Sequence, residues 1–232
     1  MLGLSRFNAM FNVQVIFARD LNSNLRTFGW SLSGGMDLDQ NKYPDLLIGA
    51  YESGHTVHMR AAPVVHITAE ISFDRTSKQI NLDDTACTLK DRRTRVPCVP
   101  VSISLRYTGV GVPNKLEFNL EYVLDAKKEK QKRMHFIDDE GESVRTTKIE
   151  MLKERAFKDK FKVYLLGPNI KDKLTSLDIQ VRYSLGSSAG VGVELTPVLG
   201  HGDHVASDSI NIQKECGSDN ICIPDLSIKT RE

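Results

Sequence analysis

The chain has 232 residues, 40% of them apolar and 26% charged, the proportions of a soluble globular protein with room for one or two domains and a sizeable core. Its formal net charge of +1 gives no overall electrostatic case for nucleic acid or for an anionic membrane surface. No apolar run approaches the roughly 18 to 20 residues of a membrane span.

From the N-terminus, residues 1–8 are mildly apolar, but Arg6, Asn8, Asn12 and Gln14 interrupt the run, which argues against a signal peptide. The first chemical feature is Asp37-Leu38-Asp39-Gln40-Asn41-Lys42-Tyr43-Pro44-Asp45. Oxygen-bearing side chains stand at alternate places, Asp37, Asp39 and Asn41, and again at Asp45; Tyr43 can offer its backbone carbonyl. Calcium takes roughly six to eight oxygens, and a short acidic loop of this spacing can wrap one ion. An EF-hand is excluded, because Lys42 stands where that loop needs Gly and Ile48 where it needs a bidentate Glu. Leu46-Leu47-Ile48-Gly49-Ala50 follows at once and reads as strand. The expectation is therefore a calcium loop between two strands; the alternative is an acidic hairpin turn that holds no ion.

The pattern changes across Met59-Arg60-Ala61-Ala62-Pro63, which marks a domain boundary. Beyond it the apolar period is 2. Val101, Ile103, Leu105 and Tyr107 alternate with Ser102, Ser104 and Arg106; Leu116, Phe118, Leu120 and Tyr122 with Glu117, Asn119 and Glu121; Leu177, Ile179, Val181 and Tyr183 with Asp178, Gln180 and Arg182. Antiparallel strands with one buried and one wet face alternate in this way. Further strands are expected over 64–73, 133–138, 144–149, 161–166, 192–198 and 208–215, with Gly, Pro, Asn and Asp between most of them. Eight or nine such segments suggest a sandwich of two sheets. Residues 150–157 are the one segment with helical character and are read as a loop crossing. The basic run Lys127-Lys128-Glu129-Lys130-Gln131-Lys132-Arg133 has no interleaved aromatic and is read as a solvated hairpin tip.

The four cysteines, Cys87, Cys98, Cys216 and Cys222, allow three pairings. Local pairing is the natural one, Cys87 with Cys98 and Cys216 with Cys222, and it implies an oxidising compartment; the alternative is four buried thiols. Neither pair has zinc-finger spacing. Gly186-Ser187-Ser188-Ala189-Gly190 matches a nucleophile elbow in letters only, because a strand pattern rather than a helix follows it. His201-Gly202-Asp203-His204 reads as a polar loop, and His55 and His58 fall on opposite faces of a strand. No set of nucleophile, base and oxyanion donors emerges, so no catalytic residue is assigned.

Phe28-Gly29-Trp30-Ser31-Leu32, then Gly35-Met36-Asp37, and Gly49-Ala50-Tyr51 after the acidic loop resemble an FG-GAP repeat of an integrin α subunit, with Tyr51 in place of the usual Pro. Other stretches resemble the integrin α thigh: the spacing of Cys87 and Cys98 (its first disulfide), Lys115-Leu116-Glu117-Phe118 through Tyr122-Val123-Leu124-Asp125, and Asp172-Lys173-Leu174-Thr175 leading into Ile179-Gln180-Val181-Arg182-Tyr183-Ser184-Leu185. Cys216-Gly217-Ser218-Asp219-Asn220-Ile221-Cys222 is similar to the genu turn, and Pro224-Asp225-Leu226-Ser227-Ile228 to the start of the calf domain.

The resemblance implies an all-β chain: one β-propeller blade fragment with a calcium loop over 1–62, a thigh-like Ig-like antiparallel β-sandwich over 63–215, and the genu turn with the start of the calf over 216–232. It implies Ca2+ held by the side chains of Asp37, Asp39, Asn41 and Asp45 and the carbonyl of Tyr43. It also implies an incomplete second site at the genu, from the Asp219 side chain and the carbonyls of Cys216 and Ile221, beside the Cys216–Cys222 disulfide. The function implied is that of a structural and hinge segment, not an enzyme. It would belong to a heterodimeric adhesion and signalling receptor on the extracellular face of the cell membrane, with an integrin β subunit and an extracellular matrix ligand as partners of the whole receptor. Only one repeat is present where a closed propeller needs several, so the chain is expected to be a fragment, an isoform or an incomplete gene model. The alternatives are a secreted FG-GAP-containing hydrolase and an independent calcium-binding β-sandwich module.

Overall fold

The computed structural model describes residues 15–74, 78–139, 141–166, 170–186 and 195–214, and these are almost entirely β. The chain divides into two units, Met1–Ala62 and Pro63–Glu232.

Among its described residues the first unit carries an α-helical turn, Ala18–Leu21, a 3-10 turn, Tyr51–Ser53, and three strands, β1 (Phe28–Met36), β2 (Asp45–Ala50) and β3 (His55–Met59). They form one antiparallel sheet in the order β1-β2-β3. Two glycines explain its local shape. Gly29 adopts φ +91°, a left-handed conformation that other residues enter at a cost. A side chain at Gly49 would collide with the Ser31 hydroxyl across the β1–β2 pair. Among its described residues only Asp45, Ile48 and Ala50 are buried. Trp30 stacks on Tyr51 with ring centroids 6.1 Å apart, on an otherwise open face.

The second unit contains β4 (Val64–Phe73), β5 (Gln79–Ile80), β6 (Cys87–Thr88), β7 (Arg95–Val96), β8 (Cys98–Thr108) and β9 (Lys115–Leu124). It continues with β10 (Met134–Phe136), β11 (Val144–Leu152), β12 (Phe157–Leu165), β13 (Leu177–Leu185), β14 (Val198–Leu199) and β15 (Val205–Ile212). Two five-stranded sheets, β10-β12-β8-β4-β14 and β11-β9-β13-β15-β5, enclose one apolar cluster. The period-2 residues supply it: Val101, Ile103, Leu105 and Tyr107 face Leu116, Phe118, Leu120 and Tyr122, and the Tyr107 and Phe118 rings lie 5.4 Å apart. This is an Ig-like sandwich standing after a propeller-blade fragment.

Three details depart from the sequence pattern. The sandwich is antiparallel in its interior, but β14 on β4 and β5 on β15 are parallel. Both are two-residue pairings at sheet edges, where short segments cover otherwise open ladders. The segment read as a loop crossing is largely strand: β11 continues to Leu152, opposite Lys115, and a tight turn with Glu154 at φ +64° leads into β12. Pairing with β9 and burial of Met151 override the helical propensity there.

The basic run is not a plain solvated tip. Arg133 is buried, and its guanidinium meets Asp125 through Nε at 2.8 Å and through an Nη at 2.6 Å. It also donates to the carbonyls of Asp172, Thr175 and Ser176, which ties the turn before β13 to the end of β9. Lys128 completes that knot on Asp172 at 2.7 Å. The Lys128 contact, followed by the Thr175 amide, holds the Asp172 carboxyl below the usual carboxylate range.

Candidate metal centre

The acidic loop spans the β1–β2 hairpin. Met36 pairs with Asp45, so residues 37–44 close the turn. Gln40 at φ +62° and Lys42 at φ +76° fold it back on itself. The loop then braces itself with its own carboxylates. The Asn41 amide donates to Asp37 and to Asp39, each at 3.1 Å, and the Lys42 amide donates to Asp37 at 2.8 Å. The Tyr43 amide donates to Asn41 Oδ1 at 2.8 Å.

This winding brings oxygens of Asp37, Asp39 and Asp45 within 4.8 Å of one another. Among the described residues it is the one group of three or more His, Cys, Asp or Glu side chains gathered so closely. Asp37 is exposed, Asp39 half-buried and Asp45 buried. Asn41 lies between them with its amide nitrogen on Asp39 Oδ2 at 3.0 Å and on the Ala61 carbonyl at 2.8 Å. A donor set of carboxylates, amide and carbonyl oxygens, without sulfur, suits a hard cation such as calcium or magnesium.

Residues outside the loop position two of the three carboxylates. Asp45 accepts the Ala61 amide at 2.9 Å and the Leu38 amide at 3.0 Å, and His58 Nε2 lies 2.9 Å from it. The Ala61 amide, then His58, hold its carboxyl down to about 2. Burial pushes the Asp39 carboxyl up, but the Arg60 hydrogen bond, the Asn41 amide and the Arg60 charge outweigh it, and the group stays below its usual range. Sequence reading missed His58, Arg60 and Ala61 as supports. Only the β2–β3 register, Leu46 opposite Met59 and Leu47 opposite His58, carries them back to the loop.

Of the other expected sites, Cys87 and Cys98 form a disulfide. Cys216, Asp219, Ile221 and Cys222 lie outside the described residues, as does Ser188 of the elbow-like sequence. His204 hydrogen-bonds the Gly200 carbonyl at 2.9 Å in its loop.

Comparison with known proteins shows the family. Residues 61–215 match the family model of the integrin alpha Ig-like domain 1, and residues 28–58 that of the FG-GAP repeat. Integrin alpha-PS2 of Drosophila melanogaster is 42% identical over 212 residues, covering 88% of this chain and 15% of its own length. Integrin alpha-8 of Homo sapiens is 33% identical, covering 88% and 20%, and integrin alpha-5 of Xenopus laevis 30% identical, covering 87% and 19%. The chain thus spans a fifth or less of the length of these relatives. It belongs to the integrin α family.

Proposed function

We propose that the chain is a non-catalytic, calcium-braced segment of an adhesion-receptor α subunit: a propeller blade over 1–62, a thigh sandwich over 63–215 and the genu with the first calf residues over 216–232. The observation that carries this reading is the gathering of Asp37, Asp39 and Asp45 in one hairpin loop. Three carboxylates so close repel one another; Arg60 meets Asp39, and His58 Nε2 lies within hydrogen-bond distance of Asp45. A bound calcium ion supplies the missing positive charge and cross-links the loop. Asp37, Asp39 and Asp45 would hold it together with the Tyr43 carbonyl and Asn41, whose amide would turn its oxygen inward. Asp45 and Asp39 are already oriented from outside the loop, which lowers the ordering cost of binding.

The open side of β1 supports the blade reading. Trp30, Leu32 and Met36 expose 74%, 67% and 70% of their surface, an apolar strip that adjoining blades would cover. The Cys87–Cys98 disulfide supports the outer face of the cell membrane as the place of work. In the whole receptor the partners would be an integrin β subunit and a matrix ligand. At the genu, Asp219 and the carbonyls of Cys216 and Ile221 would contribute to a second calcium site; non-reducing mass spectrometry should then find Cys216 linked to Cys222.

Calorimetric titration of the chain with calcium tests the reading. Asp39→Ala removes a charged ligand, and affinity should fall by about tenfold or more. Absence of binding heat in the unsubstituted chain, or equal affinity in Asp39→Ala, would sink the site.

A further inference from the structure

The two outer faces of the sandwich match their charges differently. On the β11-β9-β13-β15 side most lysines and arginines have partners: Lys115 with Glu150 at 2.8 Å, Arg182 with Glu121 at 3.1 Å and, just before β5, Lys78 with Asp208 at 2.7 Å, while Lys148 of β11 is an exception among the described residues. On the other sheet, β12 presents Lys158, Lys160 and Lys162 to solvent in alternation with inward residues. Among the described residues none of these three side chains has an ion-pair or hydrogen-bond partner. Strand geometry sets them in a row at intervals of about 7 Å, within the Debye length of about 8 Å at physiological salt. They repel one another, and the neighbouring strand does not answer them.

The register lays a trough beside this row. Lys158 stands opposite Ser104 and Lys160 opposite Ser102, and beyond them lie Glu70 and Ser72 of β4. Short serines next to long lysines leave a hollow of about 350 Å³. A larger groove of about 830 Å³ shares Lys160 and runs past Lys162 to Lys90 and Arg92, on the turn between β6 and β7 that the Cys87–Cys98 bond closes. Asp91 stiffens that turn by accepting the amides of Arg93 and Thr94 and the Thr94 hydroxyl, so Arg92 stands on a fixed support. The carboxylates in the two hollows are Glu70, Asp138 and Asp159, and Asp159 is taken up by the Tyr122 hydroxyl at 3.0 Å.

We propose that this face binds an extended sulfated polysaccharide, with Lys158, Lys160 and Lys162 contacting successive sulfates and Arg92 extending the track. A row of cations fits a linear polyanion better than a single compact anion. The exposed positions of β4, β8 and β12 carry no Phe, Tyr or Trp on which bases could stack. They carry no apolar side chain to enter a lipid surface either. The hydroxyls of Ser72, Ser102 and Ser104 can both donate to and accept from a hydroxyl-rich chain. The preference for a polysaccharide of the matrix rests on the extracellular reading given above.

The test is binding of the whole chain to immobilised heparin, measured by surface plasmon resonance from about 0.05 to 0.2 M salt. K158A/K160A/K162A should weaken binding at least about tenfold and flatten the slope of log affinity against log salt by about 2 to 3. Arg92→Ala should cause a smaller loss, and K115A/R182A on the paired face none. Circular dichroism checks the fold; if the triple variant unfolds, Lys160→Ala and Lys162→Ala are read singly in the same way. Calcium titration should be unchanged in these variants, so failure of either site is seen separately. Unchanged heparin binding in the lysine variants, equal loss on the paired face, or equally tight binding of a single-stranded oligonucleotide or of phosphatidylserine vesicles would each overturn the proposal.

Discussion

Unit 1 buries Asp45, Ile48 and Ala50 among its described residues, whereas the sandwich closes over an apolar cluster that runs from Val65 to Ile212. The same local element, a β-hairpin, is therefore held in two ways. In the sandwich, alternation places Tyr107 and Phe118 ring to ring, and Tyr122 and Phe161 edge to face at 5.6 Å. Removal of apolar area from water contributes the larger share there. In the blade, β1 turns Trp30, Leu32 and Met36 to solvent, and order comes from carboxylates that accept amides from their own loop and from the Arg60–Ala61 segment. With only Ile48 and Ala50 as buried apolar residues among those described, this sheet buries little apolar area of its own. The lesson is that the two units should answer to different perturbations: volume changes in one, charge changes in the other.

The contrast is broken most severely from the sandwich side. Phe118→Ala empties the middle of β9, where Phe118 is fully buried, and should cost about 3 to 5 kcal/mol in denaturant unfolding followed by circular dichroism. A loss under about 1 kcal/mol would mean that the core is not what holds the sheets together. Next is Cys87→Ser. The Cys87–Cys98 bond closes a loop of sequence separation 11, and the chain-entropy account gives it about 3 kcal/mol. Its loss should lower the sandwich's denaturation midpoint and leave calcium affinity in unit 1 unchanged. An unaltered midpoint would show that the packing of Val96, Cys98 and Tyr164 around the bond suffices without it.

Most of the sandwich was legible because its strands announce themselves by alternation. Val101 through Tyr107 and Leu116 through Tyr122 are in the core as the period required. The acidic loop was legible too, since spacing along the chain sets which carboxylates can converge. What could not be read was the work of distant residues. Arg133 looks like one more member of a basic run, yet Asp125 and the turn carbonyls near Asp172 draw it inside. His58 looks like half of a poor chelate, yet the β2–β3 register delivers it to Asp45. The strand expected over 161–166 left out Lys158 and Lys160; that the neighbours of these lysines across the strand are serines rather than carboxylates depends on pairing with β8. In each case the missing information is register, a long-range property that local pattern does not carry.

The smallest expected effect is also the most selective for the blade. Asp45 has its carboxyl held to about 2 by the Ala61 amide and then His58, against about 3.9 in an unfolded chain. A carboxylate depressed by folding adds stability that is complete above the unfolded value and disappears as pH falls through the folded one. Asp39 is shifted in the same direction and adds to the same window. The sole tryptophan, Trp30, lies on β1 and reports on this unit. In chelator, its emission should therefore change as pH falls from about 4 towards about 2, and Asp45→Asn should shrink that step because one of the two titrating groups is gone. A step of equal size in Asp45→Asn, or no step in the unsubstituted chain, would mean that the carboxylate network is not what orders the hairpin, and the division between a charge-held blade and a packing-held sandwich would fall with it.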